Sequence, residues 1–173
     1  MDFMELIWKR KCVRSFRPDG VPREKIVRLL DAARSAPSGG NRQPWFFYAI
    51  RDAAVKERIF NLAYNNKMLL EAPVCIVVCA DTERSGEAYG DRGRRLYCIQ
   101  DTAAAIQNLL LGVVAEGLAA CWCGAFDEEA VSGILELAPG MRPVALIPVG
   151  YAADDPPKSG RRPVEEISAF IGF

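Results

Sequence analysis

The 173-residue chain contains no histidine. Ser-His-Asp and Cys-His nucleophilic systems are therefore excluded, and so are the usual His-containing zinc sites. No G-x-G-x-x-G opens a strand–helix unit and no G-x-x-x-x-G-K-[ST] occurs, so neither a dinucleotide fingerprint nor a P-loop is encoded. An excess of one charge is missing too: 22 Lys plus Arg balance 22 Asp plus Glu. That argues against a general nucleic-acid or membrane-surface binder, which usually carries a basic excess. No uninterrupted apolar run approaches the ~20 residues of a membrane-spanning helix. Residues 1–11 carry charges where a secretory leader would be apolar, so no leader is expected. Six cysteines are too few for a disulfide scaffold of this length, and most sit in apolar segments, where a free thiol behaves as a small hydrophobe. Cys121-Trp122-Cys123 could suggest metal or redox chemistry. With no histidine and no C-x-x-C, alternating cysteines on a short strand is the better reading. The expectation is a reduced, cytoplasmic protein with no metal site. With so few candidates for acid–base or nucleophilic work, no catalytic side chain is assigned; a cofactor is expected to carry the hard chemistry.

What is present is a core. Half of the residues are hydrophobic, which fits one domain over residues 1–173. A short helix is predicted over Met4–Lys11. A clear second helix follows Pro22, with Ile26, Leu29, Leu30 and Ala33 at helical spacing. Strands are predicted at Trp45–Ile50, Pro73–Ala80, Ala119–Cys123 and Arg142–Tyr151; the second is apolar throughout and so central. Helical segments are predicted over 52–64 and 65–71, one long helix over Arg94–Leu118, and a helix capped by Asp127 through Leu137. Asp81–Gly93, polar and glycine-containing, reads as a long mobile loop. The long helix has more apolar surface than one small sheet can cover, and the tail ends in Ile167, Phe170, Ile171 and Phe173. Either a second copy of the chain supplies the missing surface, or the tail folds back on its own sheet.

Two polar patterns stand out. Lys9, Arg10, Lys11, Arg14, Arg17 and Arg23 crowd the N-terminus, and Arg161 and Arg162 lie near the other end. Alone, the N-terminal run reads better as a solvated basic helix end than as an anion site. The stretch SAPSGGNRQPWFFYAI, from Ser35 to Ile50, packs two prolines, two glycines, a hydroxyl and two side-chain amides directly before an apolar strand. A helix cap and polar turn explain Gly39 and Pro44 but not the whole set.

RKCVRSF at Arg10–Phe16 followed by APSGGNRQPW at Ala36–Trp45 resembles the FMN-dependent nitroreductase family. APVCIVV, QDTAAAIQNLLLGVVAEGLAACWCGAFD and GRRPVEEI resemble its central strand, its long interface helix with flavin-edge loop, and its C-terminal phosphate-side segment. The resemblance spans nearly the whole chain. It implies an α+β, three-layer, nitroreductase-like fold with a mostly antiparallel or mixed central sheet flanked by helices. It also implies an intertwined homodimer with FMN at the subunit interface. The implied activity is ping-pong hydride transfer from NAD(P)H to nitroaromatic, quinone or related acceptors. Other branches dehalogenate, reduce enoates or fragment the flavin, and a non-enzymatic flavin-binding module is the remaining alternative. Carried over by position, Arg10, Lys11, Cys12, Arg14, Arg161 and Arg162 fall on the FMN phosphate side. Pro37, Ser38, Gly39, Asn41 and Gln43 fall along the isoalloxazine ring, Asn65 and Lys67 near the ribityl or N1–O2 side, and Cys123, Gly124 and Ala125 near N5 and O4. Cys12 departs from the family, which usually has serine there, so a hydroxyl donor to the phosphate is weakened or lost.

Overall fold

Strand β2 (Val74–Asp81) runs through the middle of a four-stranded antiparallel sheet of order β1-β2-β4-β3, with β1 (Trp45–Ile50), β3 (Ala119–Ala120) and β4 (Met141–Gly150). The computed structural model describes residues 2–63 and 67–172. The apolar run of β2 follows from its position. Val74, Ile76 and Val78 point into one core and Cys75, Val77 and Cys79 into the other, so both faces of the strand are covered. The first core lies under α2 (Arg23–Arg34) and α6 (Cys98–Ala115); the second lies under α3 (Ala53–Asn61), α4 (Met68–Glu71) and α7 (Glu128–Ile134). The result is the expected three layers of helix, sheet and helix.

Helix ends follow local chemistry. Asp2 caps α1 (Phe3–Lys9), Asp52 caps α3 and Asp127 caps α7, each carboxylate accepting a backbone N–H three residues on at 2.9 Å. Helix α1 stops at Lys9, with Arg10 already extended at ψ 122°. Arg10 and Arg14 therefore do not share a helix face and can converge only from the extended segment that follows α1.

The expected loop at Asp81–Gly93 is instead helix α5 (Thr82–Arg92), leading through a wide helical turn, Gly93–Tyr97, into α6. The glycines that read as flexibility are packing devices. A Cβ on Gly93 would stand 2.2 Å from the Ser85 carbonyl oxygen, and Gly90 turns the chain at φ 56°. The run Thr82–Ala115 is long and apolar enough to cross a membrane by length and composition alone. Within it, Ala105, Ile106, Leu109, Leu110 and Val113 belong to the first core.

The buried positions of α6 are Cys98, Asp101, Thr102, Ala105, Ile106, Leu109, Leu110 and Val113. Ile99, Ala103, Leu111 and Val114 remain half-exposed. After β4 the chain leaves the sheet. Apart from a turn at Val164–Glu166 the tail is irregular and does not fold back on its own sheet: Ile167 is 58% exposed, Phe170 71% and Ile171 88%. Phe173 lies outside the described residues.

Candidate functional site

Residues 10–17 run extended along the sheet end. The Val13 N–H donates to Ala120 O at 3.1 Å, Arg17 N–H to Tyr151 O at 2.9 Å, and Phe16 bridges Ala152. This seats the arginine motif against the segment that carries Cys121–Ala125. Arg10, Lys11, Cys12 and Arg14 then meet Lys158 and Arg161 around a cavity of about 160 Å³. Five cationic residues line it and no carboxylate does. Lys11 is committed, its ammonium 2.5 Å from Asp155 Oδ1 and 2.7 Å from Pro156 O. Arg161 is folded on its own backbone, donating to Ser159 O and Gly160 O at 3.0 and 2.9 Å. Among the described residues, the guanidiniums of Arg10 and Arg14 have no carboxylate partner. Clustered cations left unpaired by their own chain suit a polyanionic group such as a phosphate.

Cys12 sits in this field. Burial pushes its thiol up, but contact with the Cys121 thiol and the Trp122 N–H, together with Arg10 and Arg14, outweighs it and holds the thiol below its ordinary range. Burial pushes the Cys121 thiol the other way, up to about 12. Beyond them, Cys123 pairs with Leu146 through both backbone groups at 2.9 Å. Gly124 and Ala125 are exposed, and among the described residues their N–H groups have no acceptor.

The stretch 36–45 forms a tight, strained loop. Gly40, Asn41 and Gln43 all adopt positive φ, at 53°, 55° and 52°. Ser38 Oγ accepts the Gln43 N–H at 2.9 Å, and the Gln43 amide donates to Asn41 Oδ1 at 3.2 Å. Gly39 N–H donates to both oxygens of the buried Asp101 carboxylate, at 3.2 and 3.3 Å. A Cβ on Gly40 would lie 2.5 Å from Tyr89 Oη, so the glycine here admits the α5 tyrosine. Arg84 of the same helix donates to the Arg42 carbonyl. Pro37 is exposed at the loop's start.

One chain does not bring these two clusters together. Gly39 is anchored at the first turn of α6 through Asp101, whereas the cavity adjoining Arg10 and Lys11 is walled by Leu110, Val113 and Val114 in its last turns. Twelve residues of helix separate Asp101 from Val113, about 18 Å at 1.5 Å per residue. Arg162, expected beside Arg161 on the phosphate side, does not line the cationic cavity. Lys67 is exposed at the start of α4, away from the cavity's lining residues, and Asn65 lies outside the described residues. The sequence reading missed Lys158, whose ammonium donates to Trp8 O, and Asp101 and Arg84, which together with Tyr89 hold the 36–45 loop. Asp101 had a signal: a lone carboxylate at a buried helix position must find a donor.

The family model described as Nitroreductase family matches residues 7–66 and 61–151. A Methanothermobacter thermautotrophicus protein, provisionally named NADH dehydrogenase/NAD(P)H nitroreductase, is 34% identical over 160 residues, covering 90% of this chain and 80% of the relative. A Bacillus subtilis protein named FMN reductase [NAD(P)H] is 27% identical over 175 residues, covering 91% of this chain and 69% of its own. The crystal structure of a nitroreductase family protein from Clostridium novyi superposes with a TM-score of 0.82 at 33% identity, covering 89% of this chain and 87% of that one. With its antiparallel three-layer fold, its unpaired arginines and these matches along most of its length, the chain belongs to the nitroreductase family.

Proposed function

We propose that the chain is one FMN-binding domain that works as an NAD(P)H-dependent oxidoreductase, in a homodimer with FMN at the subunit interface. The observation that carries the reading is the cavity in which, among the described residues, Arg10 and Arg14 stand without carboxylate partners. These residues fit FMN. The guanidiniums of Arg10, Arg14 and Arg161 match a phosphate dianion bidentately, and Lys158 adds a fourth cation. Arg162 and Cys123 are assigned to the site by family position alone.

When bound, FMN supplies the chemistry: hydride acceptance from NADH or NADPH at N5, then delivery to a nitroaromatic, quinone or related acceptor. The Gly124 and Ala125 N–H groups are donors fixed before any ligand arrives, which is what stabilises charge developing on a ring edge. Ser38, Asn41 and Gln43 present a hydroxyl and amides on a loop that is already rigid. Ser38 still has its own hydroxyl proton to give, because it accepts from Gln43. Asn65 and Lys67 are assigned to the ribityl side by family position alone.

The dimer rests on two features. The phosphate cluster and the 36–45 loop occupy opposite ends of α6, so a second copy would bring its loop to the first copy's arginines. The half-exposed side of α6 and the exposed Ile167, Phe170 and Ile171 supply apolar surface for such an interface. All six cysteines are free, in keeping with a reducing, cytoplasmic setting. Neither nucleic acid nor a membrane is proposed as a partner. The test is spectroscopic. Anaerobic NADH or NADPH should bleach the bound flavin, and an added nitroaromatic or quinone should restore its colour. A flavin that neither reductant bleaches would point to a binding module instead.

A further inference from the structure

We infer that Cys12 and Cys121 are a dithiol that closes reversibly to a disulfide on exposure to hydrogen peroxide. The proposal stands on geometry. The Val13 N–H to Ala120 O hydrogen bond, at 3.1 Å, locks the segment carrying Cys12 against the one carrying Cys121, so the two cysteines flank one backbone contact. Cys12 packs against the core cluster that contains Cys121, and the nearby Cys121 thiol helps to hold the Cys12 thiol below its ordinary range. A disulfide needs Cα atoms about 4.4–6.8 Å apart, a separation that residues flanking one backbone hydrogen bond between adjacent segments can reach.

The two sulfurs differ as a reactive and a resolving cysteine should. Cys12 is half-buried at the edge of the cationic cavity, with Arg10 and Arg14 stabilising its thiolate. Cys121 is 2% exposed and stays protonated until its neighbour is oxidised. The other thiols are poor competitors. Cys75 and Cys79 lie in the sheet core with thiols pushed up to about 12, and Cys98 donates to Arg94 O at 3.0 Å.

The chemistry balances in two steps. The Cys12 thiolate attacks one peroxide oxygen; the O–O bond breaks, hydroxide leaves, and Cys12 becomes the sulfenic acid. The Cys121 sulfur then attacks the Cys12 sulfur. The S–O bond breaks, and the departing hydroxide takes the Cys121 proton as water. Overall two thiols are oxidised by two electrons and one peroxide is reduced to two waters.

The test uses the full-length protein as purified, treated with hydrogen peroxide, alkylated under denaturing conditions and cleaved with trypsin and chymotrypsin. Trypsin frees residues 12–14, and chymotrypsin cuts after Trp122 and so separates Cys121 from Cys123. The expected result is loss of two of the six free thiols. The 12–14 peptide should be linked to the peptide ending at Trp122, and dithiothreitol should restore both. Cys12→Ser and Cys121→Ser should each abolish the link while the proteins fold and melt as the parent does. Six thiols left intact would overturn the inference. So would oxidation that stops on Cys12 with Cys121 free, or a link from Cys12 to Cys123 or to a second chain.

Discussion

Replacing Asp101 by leucine tests how the 36–45 loop is held in place. The buried carboxylate accepts the Gly39 N–H at 3.2 and 3.3 Å, and no other acceptor reaches that N–H among the described residues. Leucine removes the acceptor and leaves the donor unpaired. An unsatisfied buried donor costs about 1–3 kcal/mol. Gly39 is only half-buried, so the low end applies, about 1–2 kcal/mol. For a chain of this size each kcal/mol moves the melting temperature by about 2–4 °C, giving a drop of about 2–8 °C. Asp101→Asn keeps an acceptor oxygen and removes the ionisation. Burial raises the Asp101 carboxyl, and the Gly39 hydrogen bond offsets this only in part. Its folded value therefore lies above the unfolded value of about 3.9. The folded state binds that proton more tightly, so this group's contribution to stability is greatest below the unfolded value and falls as pH rises through the folded one. The asparagine variant should therefore match or exceed the parent at neutral pH and lose that acid-side slope. Thermal melts across pH, monitored by circular dichroism, give both answers. A leucine variant that melts with the parent, or an asparagine variant as damaged as the leucine one, would refute the reasoning.

Gly93→Ala should destabilise the fold by about 1–3 kcal/mol, because its Cβ would meet the Ser85 carbonyl oxygen at 2.2 Å; urea midpoints check it. Arg14→Ala should weaken FMN binding about tenfold or more, through loss of about 1.5–3 kcal/mol of charge-assisted pairing, while Arg162→Ala, outside the cavity, should leave it nearly unchanged in a flavin-fluorescence titration. Ala125→Pro removes one of the two free N–H groups and should slow turnover by about a hundredfold with flavin retained, whereas Cys121→Ala should stay within a few-fold. Deleting residues 166–173 should weaken dimer and flavin binding together, seen by sedimentation and fluorescence.

The sheet was legible because its residues obey one strong rule. The unbroken apolar run of β2 needs cover on both faces, and the structure supplies it by sending Val74, Ile76 and Val78 one way and Cys75, Val77 and Cys79 the other. Helix α5 was illegible because Gly86, Gly90 and Gly93 count against a helix in isolation. Their reason is tertiary: Ser85 and Arg94 occupy the space that a Cβ would take at Gly93 and Gly86. In the candidate site, Arg10, Cys12 and Arg14 were readable from the resemblance carried by RKCVRSF, but Lys158 was not, because nothing local in DDPPKSG marks a lysine that turns back toward Trp8. The Ser38–Gln43 pattern was visible as a loop. That its glycines accommodate Tyr89, and that Asp101 anchors it, depends on helices distant in sequence.

Sedimentation velocity of the reconstituted wild type, recorded at both protein and flavin absorbance, tests the central claim most directly. The account predicts that FMN travels with a dimer at one flavin per chain, and that riboflavin, which lacks the phosphate for Arg10 and Arg14, does not. A monomer that carries FMN, or a dimer that takes up riboflavin as well as FMN, would contradict it.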